Sequence, residues 1–351
     1  MNFCSDNVTG ASPEILAALT RANAGTVPSY GEDPLTARVE AKLKEIFETD
    51  LTAFPVATGT SANALSLSVM TPPFGAIYCQ RDAHISVDEC GAPEFYTGGA
   101  KLVNLVGDHG KVSAAEVEAA LAAAHKGVVH HVQPAAISLT QATESGTSYR
   151  PAEVAAIAAA GKRYGVKLHM DGARFANALT FLKVSPAEIT WRAGVDILSF
   201  GATKNGALAA EVVVIFDKAL AAEFAFRRKR AGHLFSKMRF LSAQLDAYLE
   251  GDLWLRNARH SNAMANRLAE GLGRIPGAKL AHPVEANEIF VDLPENAIRG
   301  LQADGFQFYR WLGEDQTLLR LVTAFDTKEA DVAAFIASAE RHAARANEKV
   351  A

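Results

Sequence analysis

From about residue 51 onward, short apolar runs alternate with longer segments whose apolar residues recur every three or four positions. The runs at 51–56, 77–79, 102–105, 135–139, 166–170, 197–200 and 212–216 have strand length and are mostly apolar, as strands covered on both faces must be. Between them, 62–70, 117–124 and 153–164 have helical periodicity, and 84–89 opens a further helix. Strand–helix alternation of this kind predicts a mostly parallel sheet with helices on both faces. Ahead of it lies an extended polar arm (1–11). A helix follows, capped by Ser12 with Pro13 at its first position and ending near Gly25. A second helix begins at Asp33-Pro34. It sets Leu35, Val39, Leu43 and Phe47 on one face and places Glu40 four residues before Lys44. Residues 221–249 read as helical. After Trp254 come a long helix (255–272), two or three short strands and a terminal helix (328–347), the pattern of a smaller α+β domain. The expected organisation is an N-terminal arm and helix (1–35) contributing to the site, a large α/β domain (36–250) and a small C-terminal α+β domain (251–351).

Composition narrows the field. The 351 residues suffice for one large domain plus a smaller one, and 49% hydrophobic with 21% charged residues is ordinary for a soluble globular chain. A net charge of −4, with 227–230 as the densest basic run, argues against a nucleic-acid partner. Cys4, Cys79 and Cys90 are too few and scattered for a disulfide framework or zinc site, so no metal is expected and the compartment reads as reducing and cytoplasmic. The N-terminal MNFCSDNVTG lacks the charged-then-apolar pattern of an export signal. No apolar run reaches the roughly 18 residues a membrane span needs.

Two strand ends carry unusual chemistry. Strand 166–170 delivers Asp171, followed by Gly172, Ala173 and Arg174; strand 197–200 delivers Lys204 in a small-residue turn between Gly201 and Gly206. That pair suits pyridoxal 5′-phosphate (PLP). A lysine amine forms a Schiff base with the cofactor aldehyde, and an aspartate keeps the pyridine nitrogen protonated so that the ring accepts electrons. Upstream, Thr58-Gly59-Thr60-Ser61 enters a helix and offers backbone N–H groups, hydroxyls and a helix dipole to a phosphate, although the same turn also serves as a plain connection. His84 follows the next strand, where an imidazole could stack on the open ring face and handle a substrate proton. Asp88, one turn later, could orient it, with Glu89 as a solvated neighbour. Arg174 can return to the Asp171 side of the site. Arg320 sits inside the apolar run TLLRLVT, as a clamp on a substrate carboxylate or as half of an internal ion pair. His130 and His131 are a second histidine source or part of a strand.

Together these residues resemble the threonine aldolase branch of the fold-type I, aspartate-aminotransferase-like PLP enzymes. The motifs are FCSDN at 3–7, YGEDP at 30–34, Gly59-Thr60, DAHI at 82–85, HMDGAR at 169–174, SFGATKNG at 199–206 and Leu319-Arg320, in family order along nearly the whole chain. The resemblance implies the fold-type I architecture and PLP as cofactor. It makes Lys204 the Schiff-base lysine, Asp171 the partner of the ring nitrogen and His84 the stacking histidine. Gly59, Thr60 and Ser61 join Arg174 among the cofactor contacts, while Ser5, Tyr30, Asp88, Arg174 and Arg320 form the amino-acid site. It also implies a homotetramer built as a dimer of dimers, with 227–239 as a basic stretch able to reach a neighbour's phosphate. The implied reaction is reversible cleavage of L-threonine and related β-hydroxy-α-amino acids to glycine and an aldehyde, with His84 as candidate base. An aminotransferase or a β-eliminating lyase on the same scaffold is the alternative. Two stretches depart from the common family pattern: GHLFSKMRF at 232–240 where many relatives have a glycine-rich GGGMRQ, and SLTQATE at 138–144 in place of LENTH.

Overall fold

The computed structural model describes residues 1–347; the last four residues of the expected C-terminal domain lie outside them. Seven strands form the large sheet: β1 (Thr52–Val56), β2 (Gly75–Gln80), β3 (Lys101–Leu105), β4 (Gln133–Thr140), β5 (Lys167–Gly172), β6 (Ile197–Gly201) and β7 (Glu211–Ile215). Their order is β1-β7-β6-β5-β4-β2-β3, parallel throughout except for β7, which runs antiparallel to both β1 and β6. All residues of β2, β6 and β7 are buried, which explains why these runs are apolar without alternation. Because β7 returns antiparallel beside β6, the intervening residues 202–210 need only reverse direction. That reversal keeps Lys204 at the carboxyl end of the sheet, beside the carboxyl end of β5.

The two N-terminal helices are Pro13–Ala22 and Pro34–Phe47. Asp33 caps the second by accepting the Thr36 N–H, whereas the Ser12 hydroxyl makes no cap bond and accepts from Asn257 instead. Val39, Leu43 and Phe47 of the second are buried. Phe47 meets Phe175, Phe200 and Phe216 under the sheet, while Phe200 also faces Tyr248 and Trp254 at centroid distances of 6.1 and 5.5 Å. This aromatic cluster lies directly beneath the strand that leads to Lys204.

A second sheet, order β10-β11-β9-β8, is antiparallel: β8 (Lys279–Leu280), β9 (Glu288–Asp292), β10 (Tyr309–Arg310) and β11 (Leu318–Val322). Leu268, Leu272, Ile289, Val291, Ile298, Leu301 and Phe335 make its separate core. The N-terminal arm is stitched to this sheet. Phe3 is buried in its core against Phe335, donates its N–H to Gln307 and accepts from the N–H of Val322.

Three expectations change. Residues 221–249 are two helices, Ala221–Arg230 and Arg239–Leu249, broken where Gly232 takes a left-handed φ of +80°. The helix opened by His84 lasts one turn (His84–Val87) before Asp88 leaves helical geometry. His130 and His131 lie in an exposed turn rather than a strand. Short helices Ala92–Thr97 and Phe175–Leu182 escaped the periodicity reading because each is less than the window needed to separate a helix from an apolar run. Among the described residues no helix is long and apolar enough to cross a membrane.

Phe200 is fully buried and touches four aromatic rings, so Phe200→Ala should cost about 3–5 kcal/mol of stability. Chemical denaturation reads this as a lowered midpoint. An unchanged midpoint would mean that the cluster does not support the sheet.

Candidate active site

A cavity of about 350 Å³ opens at the carboxyl ends of β5 and β6, the place where open α/β sheets hold ligands. Asp171, near the end of β5, is 4% exposed and points into it. One Asp171 oxygen accepts the Ala173 N–H at 3.0 Å and the other accepts from Asn63 Nδ2 at 2.8 Å. No cation pairs with Asp171 among the described residues, so its carboxylate can receive a proton-bearing ring nitrogen. Behind it His169 lies buried between Ser138 Oγ and Ser199 Oγ (2.9 and 3.0 Å), and burial pushes its imidazole down to about 4. It is therefore neutral and adds no second charge beneath Asp171.

Lys204 occupies the short turn Thr203–Asn205, which is clamped on every side. Ala202 donates its N–H to Glu211 at 2.7 Å, and Asn205 Nδ2 reaches both Tyr248 Oη and the Trp254 carbonyl at 2.8 Å. Gly201 faces the Ala173 backbone so closely that any Cβ there would collide with it. Gly206 has φ +113° and lies against Ser12 and Asn257. The Lys204 amine lines the cavity and makes no hydrogen bond or ion pair with a described residue. Glu211 also lines the cavity. Burial lifts its carboxyl to about 7 despite hydrogen bonds from Thr203 and Ala202.

The helix Gly59–Met70 starts at the cavity, with Thr58, Gly59 and Thr60 on its wall. Thr58 Oγ1 accepts the Ser61 N–H, and a Cβ on Gly59 would meet nothing within 4 Å, so the helix N-terminus is open to a phosphate. Ser61 is placed differently from Gly59 and Thr60: its hydroxyl turns back to the Thr58 carbonyl at 2.8 Å, and it is not among the residues lining the cavity.

His84 is presented to the cavity by its one-turn helix, its side chain 32% exposed. Its orienting partner is Glu89 rather than Asp88. Glu89 is buried and accepts from His84 Nδ1 at 2.9 Å, while Asp88 is exposed, because the helix ends before Asp88 can fold back. Asn63 Nδ2 bridges Glu89 Oε1 and Asp171 Oδ2, so His84, Glu89, Asn63 and Asp171 form one chain of polar contacts. The Glu89 hydrogen bond raises the proton affinity of His84, although burial opposes it. Burial likewise raises that of Glu89, so the pair holds its proton to higher pH than a free imidazole would.

The residues expected at a substrate carboxylate are arranged differently. Arg174 is 5% exposed and donates Nε and Nη2 to Asp6 (2.8 and 3.0 Å), with Nη1 3.2 Å from Glu288. Arg320 donates Nη2 to Glu288 at 2.5 Å and Nη1 to the Cys4 carbonyl. Burial alone would raise the Asp6 carboxyl, but Arg174 and Lys204 outweigh it and hold it below the usual carboxylate range. Both guanidinium groups thus stand behind the wall formed by Asn7 and Ala173, paired with acids that the strand pattern did not single out. Ser5 caps the turn Asp6–Val8 by accepting the Asn7 N–H, so it shapes the wall rather than lining it. Tyr30 is away from the cavity, in a surface turn beneath the Lys229 ammonium (4.6 Å).

These donors fit pyridoxal phosphate: an unpaired lysine amine, a carboxylate lacking a cation, a free helix N-terminus and an imidazole share one cavity. Asn63 and Thr203 carry no sequence signal of a place in this site, and Glu89, which the chain presents as a solvated neighbour, is buried. No local pattern separates a buried polar residue in a helix from a solvated one.

Comparison with known proteins agrees. The family described as Beta-eliminating lyase matches residues 2–296. A low specificity L-threonine aldolase of Pseudomonas aeruginosa is 45% identical over 325 residues, covering 93% of each chain. The solved Leishmania major threonine aldolase superposes with a TM-score of 0.91 at 30% identity, covering 97% of this chain and 99% of that one. Serine palmitoyltransferase of Sphingomonas wittichii shares the fold at a TM-score of 0.71 and 19% identity, over 99% of this chain and 87% of that one. The chain therefore belongs to the beta-eliminating lyase family, on its threonine aldolase side.

Proposed function

We propose that this chain is a PLP-dependent carbon–carbon lyase that reversibly cleaves L-threonine, L-allo-threonine and related β-hydroxy-α-amino acids such as phenylserine to glycine and an aldehyde. The observation that carries the reading is an unpaired Lys204 amine in one cavity with a cation-free Asp171 carboxylate. Lys204 would carry the cofactor, Asp171 would accept from its ring nitrogen, and the Thr58–Thr60 turn with Thr203 would hold its phosphate. Bound there, the pyridine ring supplies an electron sink conjugated with the substrate α-carbon. His84 covers the open face, its imidazole set by Glu89. Arg174 and Arg320, held behind the cavity wall by Asp6 and Glu288, would supply guanidinium N–H groups to the substrate carboxylate by exchanging part of those ion pairs, with Ser5 shaping the wall in front of them. Holding the carboxylate sets the Cα–Cβ bond perpendicular to the ring, where its electrons overlap the π system.

The same reading takes the working unit as a homotetramer, a dimer of dimers with shared active sites. It is supported by Phe95 and Phe226, which are 77% and 79% exposed beside Arg227 and Arg230. Tyr30 and the basic residues of 227–239 lie outside their own cavity, and a second copy would receive them. The division into an arm (1–35), a large (36–250) and a small (251–351) domain is supported by two sheets with separate cores. Three free cysteines support a cytoplasmic setting.

Purified, PLP-loaded protein should release acetaldehyde and glycine from L-threonine and L-allo-threonine, release benzaldehyde from L-phenylserine, and leave D-threonine untouched. Ammonia and an oxo acid instead would send the function to the eliminating lyases. Lys204→Ala should lower turnover by orders of magnitude; near-full activity would remove the lysine from its role. Arg320→Ala should raise KM for every amino acid tried, and an unchanged KM would move the carboxylate site elsewhere. Glu89→Gln removes the hydrogen-bonding carboxylate that does most to raise the proton affinity of His84, and leaves burial opposed only by Asp171 and Glu144. The imidazole should then titrate at lower pH, as followed by its NMR ring signals, and an unshifted titration would show the pair to be uncoupled.

A further inference from the structure

Three carboxyl groups line the cavity: Asp171, Glu211 and Glu144. Asp171 is held by Asn63 and the Ala173 N–H, and Glu211 by the Ala202 N–H. No described residue forms a hydrogen bond or ion pair with the Glu144 side chain. Its backbone is nonetheless fixed. In the loop after β4, Thr143 donates its N–H to the Thr147 carbonyl at 2.8 Å, their hydroxyls lie 2.8 Å apart, and both reach the His109 carbonyl. A rigid loop thus aims an unpartnered carboxyl at the site. An unpaired acid in such a setting costs free energy unless something arriving in the cavity completes it.

We propose that Glu144 takes the β-hydroxyl proton of the substrate in the cleavage step. The inference rests on the retro-aldol reading and adds to it a named base. His84 is the rival, but its Nδ1 is committed to Glu89, and that hydrogen bond raises the proton affinity of the ring, which makes it the less available acceptor. The charges of Lys204, Arg174, Glu288 and Asp171 act on Glu144, and its own charge acts on His84. Burial, Glu288 and Asp171 raise its proton affinity, while Lys204 and Arg174 lower it, with the net effect upward. A carboxylate moved toward neutrality is a stronger base than an exposed one.

The balance closes on these residues. The proton leaves the β-oxygen for a Glu144 carboxylate oxygen and the O–H pair becomes the second C–O bond of the aldehyde, while the pair of the breaking Cα–Cβ bond would be taken up by the electron sink that bound pyridoxal phosphate supplies. Glu144 then gives the proton to the Lys204 amine, and Lys204 delivers it to Cα, so glycine leaves with no net proton gained or lost.

The test compares the PLP-loaded wild type with Glu144→Gln, Glu144→Ala and Glu144→Asp in three measurements: aldehyde release from L-threonine, α-proton exchange of glycine in deuterated water, and PLP affinity by apo-protein reloading. Glycine has no β-hydroxyl, so exchange needs Lys204 and Asp171 but not Glu144. The Gln and Ala variants should lose roughly 10²–10⁴-fold in kcat for cleavage, the range expected for one acid–base group. Their glycine exchange and PLP affinity should stay within about threefold of wild type, and Asp should restore part of the loss. The acid limb of the wild-type kcat/KM profile, where Glu144 becomes protonated as pH falls, should be absent from the residual Gln activity. Cleavage by Glu144→Gln within about threefold of wild type would overturn the proposal, as would equal losses in cleavage and exchange. A wild-type enzyme that exchanges glycine but releases no aldehyde from any β-hydroxy amino acid would instead overturn the aldolase reading.

Discussion

A buried charge cluster ties the parts of this molecule into one site. Asp6 comes from the N-terminal arm, Arg174 from the end of β5, Glu288 from β9 and Arg320 from β11, and none of the four side chains is more than 13% exposed. Two acids and two arginines balance, with Asn287 adding a donor to Asp6. Such a cluster is costly to bury and costly to break: an ion left without its partner loses on the order of 3–5 kcal/mol. The arm, the large sheet and the small sheet are therefore held in one relative position, and Asn7 and Ala173, next to two of the four, are fixed on the cavity wall.

Above that cluster, environment rather than residue type sets what each ionisable group can do. Asp171 accepts from an amide side chain and a backbone N–H, and stays available to a cation. Glu211 is lifted to about 7 by burial while it secures the Lys204 turn. Glu89 sits against an imidazole, whereas the Glu144 side chain has no hydrogen-bond or ion-pair partner among the described residues. The two histidines diverge in the same way. His169, between two hydroxyls in the core, is driven to about 4 and remains neutral, whereas His84, beside a carboxylate, is raised. The network from His84 through Glu89 and Asn63 to Asp171 links the two faces of the site. Asn63 Oδ1 and Glu89 Oε2 are buried at its centre without partners among the described residues.

Much of this was legible along the chain. Fully apolar strand runs imply a sheet covered on both faces, and residues at strand ends go to its carboxyl edge because parallel strands all point there. Lys204, Asp171, His84, Gly59 and Thr60 could therefore be placed in one site before any coordinates. Helix starts at Pro13 and at Asp33-Pro34 were equally readable, since a proline at the first helical position and the Asp33 cap act within a single turn.

Tertiary structure decided what local spacing does not encode. Asp88 and Glu89 are neighbours in sequence, and only the end of a one-turn helix determines which meets His84. Arg174 and Arg320 carry the same charge in an open wall as in an ion pair. Their partners Asp6 and Glu288 are remote in sequence, separated from them by 168 and 32 residues, so the pairing emerges only when arm and sheets close together. Likewise, no motif announces that Glu144 lacks a partner. Sequence periodicity sets which face of an element is buried, because that depends on a few neighbouring residues. Whether a buried charge is satisfied depends on every segment that surrounds it, and that is a property of the folded chain alone.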